Sequence, residues 1–124
     1  MKKLRIIFWI WAVLIAAVSS YPNLKSPIKF AENISWDKLA HFCEYMILAY
    51  LYYKYKVSAE LDLKSIKKHL IYMMLIIPII DEAHQLLIPG RSFSFLDMLA
   101  DALGFATIIL LITIKQSRLQ RCKE

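Results

Sequence analysis

The chain has 124 residues, 59% of them hydrophobic, with 16 Lys and Arg against 10 Asp and Glu for a net charge of +6. Soluble domains carry about 45–50% apolar residues, so this excess, with only two Gly, four Pro and two Cys, excludes a disordered chain, a collagen-like repeat and a disulfide-stapled secreted module. A soluble bundle this small has too little core to absorb so much apolar surface, which leaves a small polytopic membrane protein.

Four apolar blocks follow in chain order. The first, Ile6 to Ser19, comes after Lys2, Lys3 and Arg5. The second starts near Asp37 and ends before Lys54; the third runs from His69 to Pro89; the fourth starts near Phe95 and ends before Lys115. Each approaches the ~20 residues that a helix needs to cross a bilayer, where every backbone group must be bonded within its own segment. The expected fold is all-α: a four-transmembrane-helix bundle in one domain over residues 1–124, with helices at about 6–21, 37–54, 69–88 and 94–114. The first block has a second reading. Its basic start, short apolar run and small residues Ala17-Val18-Ser19 are also those of a secretory signal peptide.

Charge placement orients the bundle. Twelve of the sixteen basic residues lie in the N-terminal tail, the second connection (Lys54 to Lys68) and the C-terminal tail, leaving Lys25, Lys29, Lys38 and Arg91 on the other side. Four spans with both termini in the cytoplasm place the twelve together. Basic residues that flank spans do not form a nucleic-acid footprint, so no nucleic-acid partner is expected. Trp36, Tyr21, Tyr53 and Tyr55 fall at expected interfaces. Cys43 and Cys122 lie at different depths and read as two free thiols.

Charged groups inside spans are costly, and they mark a functional site. Glu44 lies ten residues from Lys54, Asp81 thirteen from Lys68 and Asp101 fourteen from Lys115. At 1.5 Å per residue these offsets are roughly 15, 20 and 21 Å above the cytoplasmic edge, so three helices place carboxylates in the outer third of the bilayer. Asp37, His41, Glu44 and Tyr45 share one face of the second helix; Asp81, His84 and Gln85 share a face of the third, with Glu82 beside Asp81; Asp97 and Asp101 are one turn apart on the fourth. Arg91 is the one basic residue of the third connection, and its guanidinium can bridge two carboxylates or hold an anion. The expectation is an outward-facing polar pocket walled by helices two, three and four. Asp37, His41, Asp81, Glu82, Arg91 and Asp97 are its catalytic candidates, and Glu44, Tyr45, Gln85 and Asp101 its substrate-binding candidates. Residue by residue, the plainer reading is structural: Asp37 and Asp97 charge helix starts, and Arg91 clamps helices together. His41-x-x-Glu44 and Asp81-x-x-His84 are carboxylate–histidine pairs, but they run in opposite order, and no residue is assigned to a metal.

The segments Asp37-Lys38-Leu39-Ala40-His41-Phe42-Cys43-Glu44-Tyr45, Asp81-Glu82-Ala83-His84-Gln85 and Gly90-Arg91 through Asp97 and Asp101 to Gly104 resemble the VanZ-like family, whose pattern is D-K-x-x-H-x-x-x-Y, D-E-x-x-Q and G-R-x-x-x-x-x-D-x-x-x-N-x-x-G. The resemblance runs from about Ser35 to the last helix. Asp101 departs from it, standing where the family usually has Asn. It implies a small bacterial multi-pass protein of the cytoplasmic membrane; the family's namesake is linked to low-level teicoplanin resistance. Two functions are carried forward. One is an envelope-active protein that binds or modifies a lipid, a lipid-linked precursor or a glycopeptide. The other is a non-catalytic scaffold or accessory module. Membrane lipids are expected partners of both, a second copy of the chain is a possible one, and no cofactor is specified. Gly104, three residues after Asp101, would let another helix approach closely.

Overall fold

The computed structural model describes residues 2–21, 29–31 and 34–121. The chain forms α1 (Lys2–Ser19), a short antiparallel pair β1 (Lys29–Ala31) and β2 (Ile34–Ser35), α2 (Trp36–Ser58), α3 (Leu63–Gln85) and α4 (Phe95–Arg121). The four apolar blocks are thus four helices, and the helices extend into the basic flanks: α1 starts at Lys2, α3 at Leu63 and α4 continues to Arg121. Lys, Arg and Gln are good helix formers, and basic residues in a last turn complement the helix dipole, as Arg118 and Arg121 do. α3 ends at Gln85, short of the expected 88, because Leu86 to Ile88 turn toward the Pro89-Gly90 corner, where Gly90 has φ of 81°. Of the expected features, Lys25, Cys122 and Lys123 lie outside the described residues.

Two tight devices turn α2 into α3. The Leu61 N–H donates to the Lys56 carbonyl, with Glu60 left-handed at φ 60°. Asp62 then caps α3, accepting from the Lys64 and Ser65 amides at 2.9 and 3.0 Å. Hydrogen bonding to the charged form, from the Ser65 hydroxyl first and then the Ser65 and Lys64 amides, holds the Asp62 carboxyl below its ordinary value.

α2 and α4 form the central pair, with α3 against α4 and α1 against α2. Gly104 makes the central contact possible: a Cβ there would sit 2.6 Å from the Phe42 carbonyl oxygen and 2.7 Å from the Met46 nitrogen. Each helix buries one face, and α2, α3 and α4 change character along it. On α4 the buried residues pass from Asp97 and Asp101 through Gly104 to Phe105, Ile108 and Ile112; on α2 from His41 through Tyr45 to Leu48 and Ala49. On α3 they pass from Ile66 and Leu70 to Asp81, Glu82 and Gln85. Because α3 runs against α2 and α4, all the polar ends meet at one end of the bundle. The basic helix ends gather at the other.

α4 is the one described helix long and apolar enough, by length and composition, to cross a membrane. The other three carry charges on their spans or ends: Lys2, Lys3 and Arg5 on α1, Asp37, Lys38 and Glu44 on α2, Asp81 and Glu82 on α3.

Candidate functional site

The polar end is built mainly from α2, α3 and α4, which bury His41, Asp81, Glu82, Gln85, Asp97 and Asp101. His41 and Asp101 lie one turn inside the starts of α2 and α4, whose close crossing at Gly104 brings them together. His41 Nδ1 and Asp101 Oδ1 are 2.9 Å apart in a hydrogen bond, with Asp101 fully buried. One turn earlier the Lys38 ammonium donates to Asp97 Oδ1 at 2.7 Å. Asp97 sits in the first turn of α4, where the Ser94 hydroxyl accepts from its amide at 3.3 Å.

Asp81 is held by neutral groups. Ser19 Oγ and Gln85 Nε2 donate to its Oδ2 at 3.2 and 3.1 Å, and the Tyr45 hydroxyl faces it. Glu82, fully buried, accepts from the Ser94 amide through Oε2 at 2.7 Å, while its Oε1 is buried with no partner among the described residues. Asp101 Oδ2 is in the same state.

Most of the expected site residues therefore meet. Donor atoms of His41, Asp81 and Asp101 all lie within 4.8 Å of one another, as do those of Asp37, His41 and Asp97. Gln85 and Tyr45 pack around Asp81, with Tyr45 seated on the Phe105 ring at 5.8 Å. Glu44 belongs to neither group: its half-buried side chain lies within electrostatic reach of His41, Asp101 and Asp81, and its backbone carbonyl accepts from the Trp11 indole at 3.0 Å. Arg91 does not bridge carboxylates among the described residues. Its Nη2 donates to the Val18 carbonyl at 3.3 Å, and its Nε is buried without a partner. The Val18 carbonyl at the end of α1 already accepts from the Tyr21 amide at 3.1 Å, and its second lone pair takes the guanidinium.

The expected wall of helices two, three and four is also incomplete. α1 contributes Ser19, which holds Asp81, and the Val18 carbonyl, which holds Arg91. The sequence offered only a serine after small residues, with no polar pattern to single it out. Lys38 and Ser94 were likewise unassigned. Lys38 lies one residue from Asp37 in the first motif; Ser94 holds Glu82 through its backbone amide, a donor that nearly every residue carries.

Beyond Asp81 the site opens into an apolar cavity of about 640 Å³ between α1, α2 and α3. Asp81 and His84 stand at one end, Tyr55 and Lys56 at the other, and between them Phe8, Ala12 and Ala16 of α1 face Leu48 and Tyr52 of α2 and Met73 and Ile77 of α3. The cavity exists because α1 and α3 barely touch.

A family model described as VanZ/LLP1 matches residues 3–116. No curated protein and no solved structure matches the chain.

Proposed function

The chain belongs to the VanZ/LLP1 family, and on that premise we propose that it is a four-span protein of the bacterial cytoplasmic membrane whose outward-facing polar end binds the headgroup of an envelope amphiphile. The single observation that carries this reading is the place of Asp81, which belongs to the buried polar cluster and also closes one end of the apolar cavity. Such a site fits a molecule with a polar head and an apolar tail. The head meets Asp81, His84 and the carboxylates behind them; the tail lies between α1 and α3 toward Lys56.

Exposed side chains support the membrane setting. Trp9 and Val13 on α1, Leu75 and Ile80 on α3, and Leu103 and Leu110 on α4 are about half-exposed or more, an apolar exterior that water disfavours and lipid accepts. The basic helix ends lie opposite the polar cluster, which supports a reading with the basic ends in the cytoplasm and the cluster outside. The surplus of acids favours a cationic or polyhydroxylated headgroup, as on a lipid-linked wall precursor. Occupancy of such a precursor is a route to glycopeptide resistance of the teicoplanin type.

The test is mass spectrometry of the protein purified from membranes in mild detergent. A bound amphiphile is expected on the wild type and absent from Ala16→Trp, which fills the cavity. An empty wild type, or equal occupancy in the variant, would overturn the reading.

A further inference from the structure

We propose that His41, Asp81 and Asp101 form a binding site for one divalent transition-metal ion. The three residues come from α2, α3 and α4, all are buried, and one donor atom from each lies within 4.8 Å of the other two. His41 Nδ1 and Asp101 Oδ1, at 2.9 Å, already stand at the separation of neighbouring ligands on one ion. Metal–ligand bonds of about 2.0–2.2 Å place such neighbours about 3 Å apart and opposite ligands about 4.2 Å apart. A side-chain movement of under about 1 Å closes the set.

A second observation points to a ligand. Asp101 is fully buried, and its Oδ2 has no hydrogen-bond partner among the described residues. A buried carboxylate oxygen without a partner is costly, and a cation satisfies it. Charge argues the same way. Asp81 and Asp101 bring two negative charges, and among the described residues the one basic group paired with either is His41. Lys38 is committed to Asp97, and the Arg91 guanidinium lies on a backbone carbonyl. A divalent ion neutralises the two carboxylates.

One imidazole and two carboxylates suit manganese or zinc better than calcium or copper(I). Three protein ligands leave coordination positions open, the arrangement of a site that also takes an exogenous ligand. The carboxylate–histidine pairs visible in the sequence, His41 with Glu44 and Asp81 with His84, are not the ligands. Neither Glu44 nor His84 belongs to the trio. The ligands are brought together by helix packing, and the site does not depend on what the apolar cavity holds.

The experiment uses full-length protein in detergent, stripped with a chelator and titrated with Mn²⁺ alone. Electron paramagnetic resonance counts the bound ion, and electron spin-echo modulation reads nitrogen coupling from His41 without any substitution. About one Mn²⁺ per chain with ¹⁴N coupling is expected, and Asp101→Asn, which keeps the side chain's shape, is expected to weaken binding at least 10-fold. Asp97→Asn, outside the trio, is expected to change affinity less than about 3-fold. No bound ion on the wild type, a bound ion without ¹⁴N coupling, or unchanged affinity in a folded Asp101→Asn variant would overturn the proposal. A loss in Asp97→Asn equal to that in Asp101→Asn would also overturn it, because the ion would then sit on Asp37, His41 and Asp97.

Discussion

Ser19 of α1 donates from its hydroxyl to Asp81 of α3 across 62 residues of chain, so the first helix helps to set a carboxylate of the site. With Gln85 the serine fixes Oδ2 of Asp81 at the mouth of the apolar cavity. Ser19→Ala removes one of the two side-chain donors to that oxygen among the described residues. The expected cost is about 1 kcal/mol of stability, read as a lowered Tm in detergent, together with weaker retention of the bound amphiphile. Ser19→Thr keeps the hydroxyl and is expected to restore most of both. Equal behaviour of Ser19→Ala and wild type would show that Gln85 alone positions Asp81.

The helix crossing beneath the site is sensitive to a single methyl group. A Cβ at Gly104 meets backbone atoms of α2, the Phe42 oxygen at 2.6 Å and the Met46 nitrogen at 2.7 Å. Backbone cannot swing aside as a flexible side chain does, so Gly104→Ala pushes α2 from α4. The expected destabilisation is about 1–3 kcal/mol, with a longer His41–Asp101 separation as its local sign. Tm and the occupancy of the site are expected to fall together; a Gly104→Ala protein of wild-type stability would contradict the close approach.

The contrast between these two positions shows how much the sequence could tell. Apolar blocks ending in basic residues are enough to locate four helices, and one-turn spacings within them are enough to nominate Asp37, His41, Asp97 and Asp101 as neighbours. Gly104 was legible through the family resemblance, whose third motif ends in a glycine at that position, where a small residue lets another helix approach. Packing between distant segments leaves no such trace. Ser19 has a partner 62 residues away, and Arg91 binds the oxygen of Val18, an acceptor that every residue carries. The inference that Arg91 faces carboxylates followed from charge alone, whereas in the structure its guanidinium takes the second lone pair of the Val18 carbonyl. Helix ends were misplaced for a related reason: the apolar block marks where the core needs a helix, not where helix-forming Lys and Arg let it continue.

The left-handed residue between α2 and α3 offers a gain in stability. Glu60 has φ of 60° directly after the last turn of α2, with the Leu61 amide closing back on the Lys56 carbonyl. This is the position that glycine normally takes, since a Cβ is strained there. Glu60→Gly is expected to raise stability by about 0.5–1 kcal/mol, offset in part by the greater freedom glycine gives the unfolded chain. Glu60→Ala keeps the Cβ and is expected to give no such gain. The pair of Tm values distinguishes relief of strain from simple loss of the charge.

The Asp62 cap carries a pH dependence with a definite sign. Its carboxylate is hydrogen-bonded by the Ser65 hydroxyl and by the Ser65 and Lys64 amides, which holds its folded-state value below the ordinary 3.8. A carboxyl with a lowered value in the folded state favours folding at pH above its unfolded value, and that contribution disappears as the pH falls through the folded one. The start of α3 is therefore expected to be protected at neutral pH and to fray as the pH falls below the ordinary 3.8 and through the lower folded-state value. Amide exchange at Lys64 and Ser65, corrected for the intrinsic pH dependence of exchange, measures it. Asp62→Asn, which also accepts a hydrogen bond but does not titrate in this range, is expected to show protection that no longer changes with pH. A wild-type profile as flat as that of the variant would mean that the cap does not depend on the charge of Asp62.

The two corners that flank α3 test the proposed orientation in the membrane. The α2–α3 corner at Glu60 lies at the basic end of the bundle and the α3–α4 corner at Ser92 beside the polar cluster. With Cys43 and Cys122 replaced by Ser, a single cysteine at position 92 is expected to react with a membrane-impermeant maleimide in intact cells. One at position 60 is expected to react only after the membrane is opened, because the positive flanks stay inside. The reverse pattern would place the carboxylate cluster in the cytoplasm, where an outer-leaflet or wall-precursor headgroup does not reach it. Labelling of both positions in intact cells would mean that the two corners share a side, and the four-span arrangement would be lost with the orientation.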